Sequence, residues 1–150
     1  MPLSAAFMAW KGLCVLTNSP VPIVCVISES MAPAFHRGDV LLLWNRKPTI
    51  EAGDIPVIWF EGNPLPMVHR VVQVFIDGSK QQFLTKGDNN NVDDVALYPG
   101  NRTLVTRNEV AGFVRGYIPY LGWLVLGFQN LHWMKYGCVL LAASFIFAGA

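Results

Sequence analysis

Three short stretches of this chain carry side chains that could do chemistry. The first is Ser28-Glu29-Ser30-Met31-Ala32-Pro33-Ala34-Phe35-His36-Arg37-Gly38-Asp39, in which two serines one residue apart follow an apolar run at residues 23–27. Pro33 and Gly38 then force turns, which leaves Ser30 exposed on stiff backbone as the candidate nucleophile. A serine pair alone is an ordinary polar loop. A serine hydroxyl attacks poorly until a base takes its proton, so the rest of the chain must supply one. The sequence holds three histidines. His36 shares the serine turn, His132 lies in a C-terminal apolar segment, and His69 sits in the strand-like run at residues 67–76, where a polar side chain calls for a partner. The serines upstream and an acidic loop downstream favour His69 as the base. That loop is the third stretch, Thr85-Lys86-Gly87-Asp88-Asn89-Asn90-Asn91-Val92-Asp93-Asp94-Val95-Ala96-Leu97-Tyr98. A carboxylate bonded to a histidine's second nitrogen fixes its tautomer and stabilises the imidazolium. Asp88, Asp93 and Asp94 all qualify, and spacing does not choose between them.

The elements that must position these groups are mainly β. Residues 40–43 are continuously apolar and read as a buried strand, and residues 55–60 form a second apolar run. Residues 67–76 form a third strand ending at Asp77-Gly78, a hairpin signal. Residues 81–85, 104–106 and 110–118 continue the pattern, with no helical period between about residues 25 and 118. A compact β domain over residues 17–119 is expected.

The flanks differ. Residues 3–16 are apolar apart from Ser4, Lys11 and Gly12, and as a helix would reach about 21 Å against a hydrocarbon core of about 30 Å. Residues 1–16 are therefore expected to be a membrane anchor whose first half is missing. Residues 120–150 read as a C-terminal apolar, membrane-associated helix pair, with Trp123, Trp133 and Tyr136 at headgroup level. The composition agrees, being 53% hydrophobic and only 14% charged. A net charge of +1 excludes a basic field for nucleic acid. Cys14, Cys25 and Cys138 show no paired spacing and read as buried free thiols. No metal site or cofactor is expected.

Taken together, these boxes resemble the catalytic subunit of the eukaryotic signal peptidase complex, in the signal peptidase I superfamily. The likeness runs almost end to end, through Thr17-Asn18-Ser19-Pro20, Ser28-Glu29-Ser30-Met31-Ala32-Pro33-Ala34-Phe35, Arg37-Gly38-Asp39, Leu43-Trp44-Asn45-Arg46, Val68-His69-Arg70-Val71, Lys86-Gly87-Asp88-Asn89-Asn90 and Val114-Arg115-Gly116-Tyr117. The resemblance implies Ser30 as nucleophile, Ser28 in the oxyanion hole, His69 as base, Asp94 as its acid partner and Asp88 as a supporting acid. It implies a membrane-bound serine endopeptidase of the endoplasmic reticulum, with its catalytic domain in the lumen, that removes signal peptides from preproteins. Its expected partners are those signal peptides, other subunits of the complex and the lipid bilayer. Asn101-Arg102-Thr103 is a glycosylation sequon compatible with a luminal domain.

Two departures stand out: the family usually has Gly where this chain has Glu29, and Glu where it has Ala32. A charge at position 29 could perturb a neighbouring acid or His69. The alternative is thus a catalytically impaired or silent membrane subunit that binds signal peptides within the complex. A self-cleaving repressor-type protease would want a lysine base and a DNA-binding segment, and neither is evident.

Overall fold

The computed structural model of the chain describes residues 2–78 and 80–130. The expected apolar helix beyond residue 130, with His132, Trp133, Tyr136 and Cys138, lies outside the described residues.

Among the described residues, eight strands in two antiparallel sheets make the fold mainly β. In the five-stranded sheet, β1 (Ile23–Cys25) pairs with β2 (Val40–Trp44), β2 with β8 (Val110–Ile118), β8 with β3 (Pro56–Ile58), and β3 with β4 (Met67–Val68). The three-stranded sheet runs β5 (Arg70–Asp77), β6 (Lys80–Lys86), β7 (Val105–Thr106). The central strand β8 spans the stretch expected from sequence, and Asp77 pairs with Lys80 at the tip of the β5–β6 hairpin.

Two expectations about strands are corrected. Residues 67–76 do not form one strand: pairing stops at His69, with β4 before it in one sheet and β5 after it in the other. A chain that changes sheets has to bend, and apolar alternation carries no mark of that bend. Nor is the run at residues 40–43 wholly buried, since Leu42 is 39% exposed while Leu41 and Leu43 point inward. Three single-turn 3-10 segments, Val95–Leu97, Pro99–Asn101 and Arg107–Glu109, also fall where no helix was expected. They are too short to impose a period.

The core has two parts. Ile58, Val71, Phe83, Val105 and Phe113 pack between the sheets. Met31, Phe35, Leu41, Leu43, Val57 and Ala111 form a second cluster, so the serine-bearing turn is pinned by two of its own side chains. Burying each such side chain contributes about 1.5–3 kcal/mol.

Among the described residues, two α-helices flank the sheets. In α1 (Pro2–Thr17) Leu3, Phe7, Met8, Val15 and Leu16 are exposed. Arg46, just past β2, donates to the carbonyls of Val15 and Leu16 at 2.9 and 2.8 Å, satisfying groups the helix end leaves open. Among the described residues, no helix is long and apolar enough to cross a membrane. The second helix, α2 (Gly122–Asn130), begins against the serine turn: Gly122 N–H donates to Gly38 O at 2.7 Å and Tyr120 N–H to Asp39 Oδ1 at 3.1 Å. Gly38 has φ +95°, and a Cβ there would overlap the Trp123 ring, so the approach requires glycine.

Candidate active site

His69 stands at the joint between the sheets, which turns its ring between the serine turn and the acidic loop. Its Nδ1 lies 2.6 Å from Asp94 Oδ2, and its Nε2 lies 2.9 Å from Ser30 Oγ. An ionised carboxylate can only accept, so Nδ1 carries the proton. Nε2 is then left free to accept from the Ser30 hydroxyl. Both His69 and Asp94 are buried, and a buried charged or polar group without partners is costly. Partners are present: Thr85 Oγ1 donates to Asp94 Oδ2 at 2.7 Å, and Tyr98 Oη lies 2.9 Å from Thr85 Oγ1. With the Thr85 proton committed to Asp94, Tyr98 O–H donates to Thr85, and the Thr85 N–H returns a bond to Tyr98 Oη at 2.9 Å. Burial, its largest influence, raises the Tyr98 pKa and keeps that phenol a neutral donor. The result is one directed chain of hydrogen bonds, Tyr98 to Thr85 to Asp94, with His69 and then Ser30 on the other side. Asp94 Oδ1 is buried with no partner among the described residues.

The acidic loop is tied to the serine turn directly. Asn89 N–H donates to Ser30 O at 2.9 Å, and Asn89 Nδ2 to Glu29 O at 3.2 Å. A Cβ at Gly87 would sit 2.7 Å from Ser30 O, so only glycine lets the loop come this close. Asp88 is bonded to Arg70 and not to His69: it receives both Nε and Nη2 of Arg70, at 2.8 and 2.7 Å, while Arg70 Nη1 reaches Gly53 O at 3.2 Å. This two-pronged ion pair fastens the start of the loop to β5. Asp93 is exposed, and among the described residues its carboxylate bonds the Val95 N–H alone, at 3.3 Å.

Ser30, His69 and Asp94 are therefore in line, while Ser28 Oγ lies 3.3 Å from Ser30 Oγ at the mouth of the site. His36 does not approach them. Its Nδ1 lies 3.1 Å from Glu29 Oε2, and Arg37 N–H donates to Glu29 Oε1 at 3.0 Å. The Arg37 N–H, then the His36 ring, hold the Glu29 carboxyl below its ordinary pKa. Asn101 ends a 3-10 turn away from this centre. Thr85 and Tyr98 were not foreseen. A signal for Thr85 exists: it shares the inward face of β6 with Phe83, and a buried hydroxyl needs a partner.

In front of Ser30 and His69 opens a cleft of about 410 Å³ lined by Val24, Val26, Met31, Phe35, Val68 and Leu97. Residues of β1 and β4, the two edges of the five-stranded sheet, both line it, so the sheet curls until its edges face one another. Cys25 also lines the cleft; it and Cys14 are half-buried free thiols, each 3.7 Å from a backbone carbonyl, Val26 O and Pro20 O respectively. Both were expected to be buried free thiols; both are free, but neither is fully buried, Cys14 lying in α1 and Cys25 at the end of the edge strand β1. Burial first, and Asp39 second, push the Cys25 thiol pKa up, which disfavours thiolate beside the serine.

A hydroxyl, an imidazole and a carboxylate in line at the edge of an apolar cleft form the arrangement of serine hydrolases, in which the imidazole can take the hydroxyl proton as a carbonyl is attacked. No family model matches the chain. Similarity to individual proteins is extensive, however. The chain is 49% identical over 137 residues to the signal peptidase complex catalytic subunit SEC11 of Metarhizium robertsii, covering 90% of this chain and 80% of that protein. It is 47% identical over 146 residues to the subunit of the same name from Ajellomyces capsulatus, covering 89% and 78%. It is 47% identical over 135 residues to that of Neurospora crassa, again covering 89% and 78%. The chain belongs to the family of signal peptidase complex catalytic subunits.

Proposed function

We propose that this chain is the serine endopeptidase that removes signal peptides from preproteins at the endoplasmic reticulum, by an acyl-enzyme route with Ser30 as nucleophile, His69 as base and Asp94 as the acid that orients it. The observation that carries this reading is His69 bonded on one side to buried Asp94 and on the other to Ser30. His69 takes the Ser30 proton as Oγ attacks the scissile carbonyl, then passes it to the leaving amine, and water releases the acyl group. The oxyanion is assigned to the Ser30 N–H, which has no acceptor among the described residues, and to the Ser28 hydroxyl beside it. Asp88 supports the site at one remove, through Arg70. No metal or cofactor is required by this chemistry.

The cleft suits the substrate. A signal peptide presents a short apolar segment and then small residues before the cut. An extended segment laid between the free edges of β1 and β4 would find backbone partners, with apolar walls for its side chains. On this reading residues 17–119 are the catalytic domain and face the lumen. Residues 1–16 and 120–150 meet the bilayer, in keeping with the exposed apolar side chains of α1 and with Leu121, Trp123 and Leu124 at α2. Other subunits of the signal peptidase complex are its partners.

The test is cleavage of a model preprotein in membranes whose only source of this subunit is the native chain or Ser30→Ala, at matched expression. Cleavage by the native chain and its loss in the variant is expected. Equal cleavage by both would overturn the assignment, and cleavage by neither would support a silent subunit.

A further inference from the structure

The sequon Asn101-Arg102-Thr103 plays no part in the chemistry above, yet its three side chains are sorted by the fold. Arg102 is extended, at φ −89° and ψ 157°, which sends its neighbours to the opposite side from its own side chain. The Arg102 guanidinium turns inward, 4.8 Å from the Phe60 ring and 2.6 Å from Glu109 Oε1. Asn101 and Thr103 are both exposed. The Asn101 side chain makes no hydrogen bond among the described residues, and its backbone sits at φ +55° at the end of a turn. A shallow groove of about 400 Å³ beside it is lined by Gln82, Leu104 and Thr106 together with the sequon, and none of these residues lines the active-site cleft.

We propose that Asn101 carries an N-linked oligosaccharide. The donor is a lipid diphosphate-linked oligosaccharide of the lumen: a bond forms between Asn101 Nδ2 and the sugar C1, the C1–O bond to the diphosphate breaks, the lipid diphosphate leaves and the amide nitrogen loses a proton. Thr103 supplies the hydroxyl that completes the sequon. The sugar emerges beside β7, the two-residue edge of the second sheet, and shields an edge that could pair with another chain. It leaves the cleft open. This assignment rests on the luminal orientation proposed above, and the experiment separates the two.

Sealed microsomes holding the full chain in its complex are treated with added protease, and in parallel dissolved and digested with an endoglycosidase that removes N-linked sugars, for the native chain, Asn101→Gln and Thr103→Ala. The expected result is a protease-protected β domain whose mobility shifts on deglycosylation in the native chain alone, with preprotein cleavage by Asn101→Gln within twofold of native. A protected domain with no shift in the native chain would overturn the glycan and leave the orientation standing. A domain degraded in sealed vesicles would overturn the orientation and the glycan with it.

Discussion

The turn that carries Ser30 and the loop that carries Asp94 meet at His69, but they are held by opposite means. The turn is built largely from backbone bonds, Ala32 N–H to Glu29 O and Phe35 N–H to Met31 O, and anchored by buried Met31 and Phe35, while Ser28, Glu29, His36 and Arg37 face water and Asp39 alone among its charged side chains is buried. The loop is held from inside, by Asp94 and Thr85, both buried and bonded to one another through their side chains. A polar contact in water exchanges one partner for another at little net gain, whereas a buried one cannot be replaced once broken. Substitutions of the loop's buried polar groups should therefore be severe and those of the turn's exposed polar groups, the nucleophile Ser30 apart, slight.

The sharpest break of that contrast is inside the loop itself. Asp94→Asn keeps the shape but replaces a carboxylate with a neutral amide, which cannot stabilise the imidazolium and can hold the ring in the wrong tautomer. In Ser-His-Asp sites such a change lowers kcat by roughly ten-thousand-fold. Asp93→Asn, one residue away but exposed, should stay within a few-fold of native. Preprotein processing by the two variants at equal expression decides the matter, and the reverse pattern would overturn the choice of Asp94.

Thr85→Val comes next. It removes the second donor to Asp94 and leaves the Tyr98 hydroxyl without its acceptor, at a cost of about 1–3 kcal/mol for the buried group left unpaired. Thermal unfolding of the purified complex should report that loss, while processing falls less than in Asp94→Asn because His69 keeps its acid. A neutral result would mean that Thr85 and Tyr98 fill space and do not orient the carboxylate.

The same contrast explains which parts of the molecule were legible in the sequence. Ser30 could be read because Pro33 and Gly38 follow it closely and force local turns, and β8 because a central strand is apolar along most of its length. The residues alone left Asp88, Asp93 and Asp94 level, and only the family resemblance singled out Asp94. The choice is made by a long-range closure, in which Asp94 N–H bonds Thr85 O at 3.1 Å and turns the side chain inward, while Arg70 draws Asp88 aside. The break at His69 was hidden for a similar reason. Which sheet a strand joins depends on partners far along the chain, so β4 and β5 read as one run. Tyr98 gave no local sign, because its role exists only once β6 has placed Thr85 against it.

The smallest effect is expected at Glu29, where this chain departs from the glycine usual in the family. A charge here would threaten catalysis only if it faced His69. Instead both carboxylate oxygens are taken, one by the Arg37 N–H and one by His36, on the far side of the turn. Because these contacts hold the Glu29 carboxyl below its ordinary value, the Arg37 bond persists throughout the pH range above it and is lost only as pH falls through that lowered value. More than half of the Glu29 side chain is in solvent, so the pairing adds little to stability. Glu29→Gly should then leave preprotein processing nearly unchanged at neutral pH. A large gain in processing would mean that Glu29 restrains the native site, and would return weight to an impaired subunit in which the serine, histidine and aspartate stand in line but turn over slowly.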